Sequence, residues 1–312
     1  MSFTVSDDFN LHTMKKHLFS KLEFYITNVC NLTCEGCNRF NNYSFAGWQK
    51  WSDYEADYTK WAEHVDIDQL VILGGEPLLN PDIIDWMYGL NRVFKRNVQI
   101  LSNGTRINQV KGLYEALQAN GNWMGISWHN PDTIDEFDRS VRQFLKGNVA
   151  KVDKNHTDNP FGSHLMWMDE NGVKIPLWIQ YDFYDSAIKL TPNGQFALHN
   201  SNPTVAHNSC GFAKFKNYHM IKGKLYKCGP AALFPEFDGQ HGFDISDEDR
   251  AILHSYIPLT ADDYPTRGAE FLANIDKQLT MCKFCPESLE YKNRLFAVSK
   301  NQAKKKYTLE PV

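Results

Sequence analysis

Between Leu22 and Gly147 the chain repeats one rhythm, in which a short apolar run gives way to a polar turn and then to an amphipathic stretch. Leu22–Ile26 reads as a strand, Trp51, Tyr54, Tyr58, Trp61 and Val65 recur at helical spacing, and Leu70–Leu73 is a continuous apolar run. A second helix carries Ile83, Ile84, Met87, Leu90 and Phe94 on one side, and Val98–Leu101 is the third strand. Lys111–Ala119 then reads as helix, Trp123–Ser127 as strand, and Ile134, Phe137, Val141 and Phe144 as a fourth helical face that Gly147 ends. Such alternation demands an α/β fold with a parallel sheet and helical crossovers. In a βα barrel the reactive groups stand where strands end. The stretches occupying those positions are the only unusual ones: a cysteine loop after the first strand, Gly74-Gly75-Glu76-Pro77, Ser102-Asn103-Gly104-Thr105 and Ser127-Trp128-His129-Asn130.

Local signals refine the boundaries. Ser52-Asp53-Tyr54-Glu55 has capping-box form, and Asn80-Pro81 supplies an N-cap with a first-turn proline. The aromatic stripe from Trp51 to Trp61 is a core face, since its pattern shows only amphipathicity. After residue 148 the rhythm changes. Residues 148–163 read as loop; Leu165–Met168 and Val173–Asp182 form a hairpin across Asn171-Gly172, and Lys189–His199 another across Pro192-Asn193-Gly194.

With 312 residues the chain is long enough for a sizeable core, and 42% hydrophobic with 22% charged residues is ordinary for a globular enzyme. A formal net charge of −4 offers no general attraction to nucleic acid or an anionic membrane. No apolar stretch approaches the roughly 20 residues of a membrane helix, and the first residues lack a signal-peptide core. The expectation is a cytoplasmic protein. Its seven cysteines then point to metal or catalysis rather than disulfides.

The cysteines divide into two sets. Cys30, Cys34 and Cys37 fall in one short loop, with three residues between the first pair and two between the second. Three thiolates grip a metal centre but leave a position unfilled, a defect for structural zinc and a requirement for a cluster that binds a ligand on one iron. The spacing resembles the cluster motif of the radical S-adenosylmethionine (SAM) enzymes, and Gly74-Gly75-Glu76-Pro77 after an apolar strand strengthens the resemblance.

The resemblance implies a partial (β/α)6 TIM-type barrel. It implies a [4Fe–4S] cluster on Cys30, Cys34 and Cys37, with SAM chelating the remaining iron and giving a 5′-deoxyadenosyl radical on reduction. Gly74, Gly75 and Glu76 would meet the methionine group of SAM, the glycines by close backbone approach and Glu76 by accepting from the ammonium. Ser102, Asn103 and Ser127 are candidates for ribose and carboxylate contacts. Gly36 departs from the family, which often has an aromatic residue before the third cysteine.

The second set is Cys210, Cys228, Cys282 and Cys285. Tyr218–Ile221 and Leu225–Tyr226 read as a hairpin turning at Gly223, which can return Cys210 and Cys228 to one point, while Cys282-Lys283-Phe284-Cys285 adds a CxxC pair. Four thiolates make a structural zinc site or a closed iron–sulfur site equally well. The order resembles the twitch domain of some radical SAM enzymes, the shortened SPASM extension, implying an auxiliary [4Fe–4S] cluster for electron transfer. The expected organisation is a lead-in at 1–20, a barrel at 21–205, the twitch region at 206–290 and a tail at 291–312.

Expected partners are an electron donor such as flavodoxin or ferredoxin, and a substrate. Relatives with this extension act on small carbohydrate-like alcohols or on ribosomally made peptides. The short lead-in turns the expectation toward a small molecule, or a peptide recruited by a separate partner, and the ending Glu310-Pro311-Val312 turns it from the two-cluster molybdenum-cofactor enzymes with a terminal Gly-Gly. A non-catalytic iron–sulfur or zinc protein is the alternative of another class. No general base is identified: His129 reads as packing or surface, and Asp182 and Tyr184 as hairpin residues. Lys214, Lys216, Lys222, Lys224 and Lys227 read as a solvated face, and Lys304-Lys305-Lys306 as an exposed tail.

Overall fold

The computed structural model describes residues 16–34, 36–128, 134–153, 165–179 and 186–288. Strand β1 (His17–Tyr25) leads into the cysteine loop and is followed by α1 (Trp51–His64), β2 (Val65–Leu73), α2 (Ile83–Phe94), β3 (Val98–Ser102), α3 (Leu113–Ala119), β4 (Trp123–Trp128) and α4 (Ile134–Phe144). Strands β5 (Val149–Asp153), β6 (Leu165–Asp169) and β7 (Lys174–Ile179) come next, then the hairpin of β8 (Ile188–Leu190) and β9 (Phe196–Leu198). Helices α5 (Pro203–Ser209) and α6 (Gly211–Lys214) precede β10 (His219–Ile221) and β11 (Lys224–Tyr226). Last come α7 (Gly229–His241), α8 (Asp247–Leu253), β12 (Leu259–Thr260) and α9 (Tyr264–Asn274).

Ten of these strands form one sheet in the order β12-β11-β10-β1-β2-β3-β4-β7-β6-β5. The six central strands, β10 to β7 in that order, run parallel, and both margins are antiparallel. The molecule is thus mixed α/β with a parallel-dominated sheet. Two findings go beyond the sequence reading. Residues 149–153, expected as loop, form β5 and pair antiparallel with β6. The late hairpin β10–β11 joins the main sheet, with Glu23 opposite His219 and Phe24 opposite Met220.

Alternation along β1 sends Leu22, Phe24 and Ile26 to one core and Tyr25 to another. Beneath α1 and α2, Trp51 stacks on Tyr58 at 5.6 Å, and Trp86 meets both edge-on. The opposite face, with Tyr25, Val71 and Leu73, is covered by Phe234 and Phe237 of α7. The helix starts differ from expectation. Helix α1 begins at Trp51, one residue before the proposed Ser52 cap, and the carboxylate of Asp82 accepts from the Trp51 N–H at 2.5 Å. Helix α2 begins at Ile83, because Asn80 accepts from the Asp82 N–H in a turn and donates to the Ile26 and Gln49 carbonyls. A cap is thereby replaced by a cross-link between units.

Candidate cluster and cofactor site

The cysteine loop leaves β1 and is fastened at its root by the turn after β2. The Gly75 N–H donates to the Thr27 carbonyl at 2.7 Å, and the Glu76 N–H donates to the Val29 carbonyl at 2.8 Å. The glycines serve this contact. A Cβ on Gly74 would lie 2.6 Å from the Thr27 oxygen, and one on Gly75 would lie 2.3 Å from the Val29 oxygen and 3.0 Å from Cys30 Cβ. The glycines thus let the turn lie directly against residues 27–30.

Glu76 is fully buried and turned inward. One carboxylate oxygen accepts from Leu78 N–H (3.0 Å) and the Ser102 hydroxyl (2.7 Å), and the other from Asn103 N–H (2.7 Å). Burial raises its pKa against the pull of these donors. Asn103 carries the network back to the loop, its amide donating to Asn31 at 3.0 Å, while Asn31 donates to the Thr105 hydroxyl at 2.8 Å. Three turns that end β1, β2 and β3 are therefore tied at one place, as the sequence placed them. Ser127 sits half-buried near the end of β4, opposite Trp178 on β7, away from this network. His129, Asp182, Tyr184 and the Lys304–Lys306 run lie outside the described residues.

Cys30 is 9% exposed, whereas Cys34 and Cys37 are half-buried. Leu32 N–H points to the Cys30 sulfur at 3.4 Å, Cys37 N–H bonds the Cys34 carbonyl, and Gly36 turns the loop with φ +76°. Beyond Cys37 the chain adopts left-handed backbone at Phe40 and Ser44. Such conformations persist where packing over-determines them. The Phe40 ring stacks on Phe234 at 5.1 Å, and Asn41 donates to the Asn28 carbonyl at 2.6 Å.

Four further cysteines assemble elsewhere. Cys210 stands between α5 and α6, Cys228 caps the N-terminus of α7, and Cys282 and Cys285 occupy a 3-10 turn and its end. No disulfide joins any of the seven. Burial pushes the Cys228 thiol up to about 12, and burial followed by Cys228, Cys210 and Cys282 raises Cys285 well above the ordinary range. The four thiols are thus mutual electrostatic neighbours. Lys227 is 5% exposed among them, its ammonium bonded to the Lys277 carbonyl and 3.4 Å from His207 Nε2. It is therefore no part of a solvated face. Burial lowers the Lys227 pKa, against the pull of the neighbouring Cys228, Cys282 and Cys210 thiols.

Among the described residues, no three Cys, His, Asp or Glu side chains converge tightly enough to hold a metal as they stand. Both sets nevertheless fit the group proposed for them in donor chemistry: soft thiols, three on one loop and four in a partly buried set. Sequence reasoning missed Asn31, Thr105, Lys227 and a buried trio of Glu23, Arg39 and His219. A charged residue inside the apolar Leu22–Ile26 run was the available signal for the trio.

Residues 24–156 match the model of the Radical SAM superfamily. A protein described as a probable GTP 3′,8-cyclase of Methanothermobacter thermautotrophicus is 28% identical over 150 residues, which are 46% of this chain and 48% of that one. The chain thus spans about half the length of this curated relative. The crystal structure of Streptococcus suis SuiB bound to S-adenosylmethionine aligns over 41% of this chain and 31% of that chain, at 21% identity and a TM-score of 0.33, a likeness too slight to carry an argument. The cysteine loop, the Gly74–Glu76 turn and the Ser102–Asn103 turn all lie within the segment that matches the Radical SAM superfamily model.

Proposed function

We propose that the chain is a radical SAM enzyme that acts on a small, carbohydrate-like molecule and carries a second, auxiliary [4Fe–4S] cluster. The observation that carries the reading is the splice of Gly75 and Glu76 onto Thr27 and Val29, which sets the SAM-contacting turn of the family directly against the root of the three-cysteine loop. With its cluster and SAM bound, such a site supplies a 5′-deoxyadenosyl radical that takes a hydrogen atom from an unactivated C–H bond.

The chain's own residues do the positioning. Cys30, Cys34 and Cys37 would hold the first cluster, to which SAM would bind. The Gly74–Gly75 backbone approaches the methionine end, and Glu76, with three of its acceptor positions filled from within, keeps the turns after β2 and β3 in register. Ser102 and Asn103 hold the turn after β3 through Glu76, and Ser127, near the end of β4, is the remaining candidate for a nucleoside contact. Cys210, Cys228, Cys282 and Cys285 would hold the auxiliary cluster, whose chemistry there would be electron transfer.

In this reading the six parallel strands form a partial (β/α)6 barrel within residues 21–205 and the start of the 206–290 twitch region. An electron carrier of the flavodoxin or ferredoxin kind reduces the protein in the cytoplasm; no helix among the described residues is long and apolar enough to cross a membrane. The description of the archaeal relative as acting on GTP agrees with a small-molecule substrate.

Anaerobic reconstitution should give about eight iron and eight sulfide per chain. Dithionite with SAM should release 5′-deoxyadenosine; Cys34→Ala should abolish that release and Cys282→Ala should leave part of it. Zinc as the sole metal, with SAM left intact, would sink the proposal in favour of a non-catalytic zinc protein.

A further inference from the structure

The buried trio of Glu23, Arg39 and His219 lies between the two cysteine sets, and the sites as described make no use of it. Arg39 is two residues past Cys37 and 9% exposed. Its Nη2 donates to Glu23 at 2.8 Å, and its guanidinium carbon sits 4.9 Å from the centre of the Phe212 ring. Phe212 is two residues past Cys210. Gly229, directly after Cys228, lies so close that a Cβ there would stand 3.4 Å from both Arg39 Nη1 and His219 Nε2. Glu23 on β1 takes this guanidinium, faces His219 Nε2 at 3.2 Å and pairs with Lys21 at 3.0 Å.

One side chain thus connects the exit of the first cysteine loop to the residues next to two ligands of the second set. A surface ion pair would do little here, but Glu23 is 3% exposed and His219 wholly buried, so the partners cannot trade the contact for water. A second path runs in parallel. Helix α7 starts at Cys228, and its Phe234 stacks on Phe40, its Glu236 accepts from Asn28 at 2.8 Å, and its Gln240 accepts from the Ala46 N–H at 3.0 Å. The first loop is therefore held on both flanks by elements that begin at the second set.

We infer that Arg39 is a positioning residue that couples the two cysteine sets, so that a filled second site orders the Cys30–Cys37 loop for SAM. The inference rests on the reading above that both sets hold clusters. Coupling of this kind is reciprocal, and typical values correspond to roughly 5–150-fold in affinity.

The test is a double-substitution cycle on the full, anaerobically loaded chain. SAM is titrated against the electron paramagnetic resonance signal of the reduced first cluster in wild type, Arg39→Met, Cys285→Ser and the double variant. Each single change should raise the half-saturating SAM concentration about tenfold, and the double variant should be no worse than either. Phe212→Leu, which removes only the stacked ring, should give a smaller loss in the same direction. A second readout needs no metal: in the apo chain, Arg39→Met should speed iodoacetamide labelling of Cys37, read by mass spectrometry, several-fold over wild type.

Multiplicative losses in the double variant, or wild-type half-saturation and wild-type labelling in Arg39→Met, would overturn the coupling. Failure of the underlying reading looks different: Cys34→Ala would then retain no iron at the second set. A wild type that binds no SAM would overturn the proposal, and should Arg39→Met fail to load, its apo labelling rate against wild type decides whether Arg39 holds the loop.

Discussion

Gly75→Ala is the sharpest test of how the cysteine loop is held. The added methyl would lie 2.3 Å from the Val29 oxygen and 2.6 Å from its carbonyl carbon, both backbone atoms that no rotamer change can move. Relief requires about 1 Å of separation between the turn after β2 and the loop root, given that ordinary contacts of a Cβ begin near 3.4 Å. That movement stretches the 2.7 Å Gly75–Thr27 and 2.8 Å Glu76–Val29 hydrogen bonds. Two buried bonds at about 0.5–1.5 kcal/mol each, with overpacking strain of about 1–3 kcal/mol, give a loss of about 2–6 kcal/mol. That is a large share of the roughly 5–15 kcal/mol that holds a typical domain.

The assay is urea unfolding of the anaerobically purified protein by circular dichroism, beside its iron content. Gly239→Ala is the control: it lies within α7 with nothing within 4 Å of its added methyl, and should gain about 0.5–1 kcal/mol. Gly75→Ala within about 0.5 kcal/mol of wild type, with iron content unchanged, would refute the splice as the anchor of the loop.

Other outcomes follow from neighbouring contacts. Glu76→Gln sets an amide NH2 against at least one of the donors from Leu78, Ser102 and Asn103, and should cost about 1–3 kcal/mol in urea unfolding. Burial works to raise the Asp238 carboxyl, but hydrogen bonds from Arg250, His254 and the Phe243 N–H outweigh it and hold its pKa below the usual range. Its contribution is present above about pH 4 and is lost as pH falls through the lowered folded value. Asp238→Asn should therefore lower Tm at pH 7, and the difference from wild type should fade in acid; a gap that widens on acidification would contradict the sign. Trp86→Ala, in the cluster with Trp51 and Tyr58, should cost about 3–5 kcal/mol, read from the urea midpoint.

What was legible in the sequence was whatever depends on period and spacing. The apolar run at Leu70–Leu73 placed β2, Asn171-Gly172 placed the hairpin of β6 and β7, and the cysteine spacing placed the loop after β1. What stayed hidden depends on partners far away in the chain. The Ser52 capping box failed because Asp82, 31 residues on, serves the start of α1. Lys227 reads as solvent-facing beside Lys222 and Lys224, yet the strand turn carries it into the second cysteine set. The packing of Thr27 and Val29 against Gly74 and Gly75 is hidden in the same way, since nothing local reveals those neighbours. β5 was missed because Ala150 and Lys151 are exposed and blur the strand's alternation.

The seat of β10 beside β1 sets the order in which the molecule can be finished during synthesis. β1 pairs on one side with β2, some forty residues on, but its other neighbour emerges only when His219–Ile221 leaves the ribosome. At about 5–20 residues per second, the interval is roughly 10–40 s. Throughout it, one side of β1 has unsatisfied backbone groups open to any extended chain, and the cysteine loop still lacks Phe234, Glu236 and Gln240. A nascent chain offered iron early meets three thiols on a half-held loop. The complete seat of the Cys30–Cys37 loop exists only once α7 has been made.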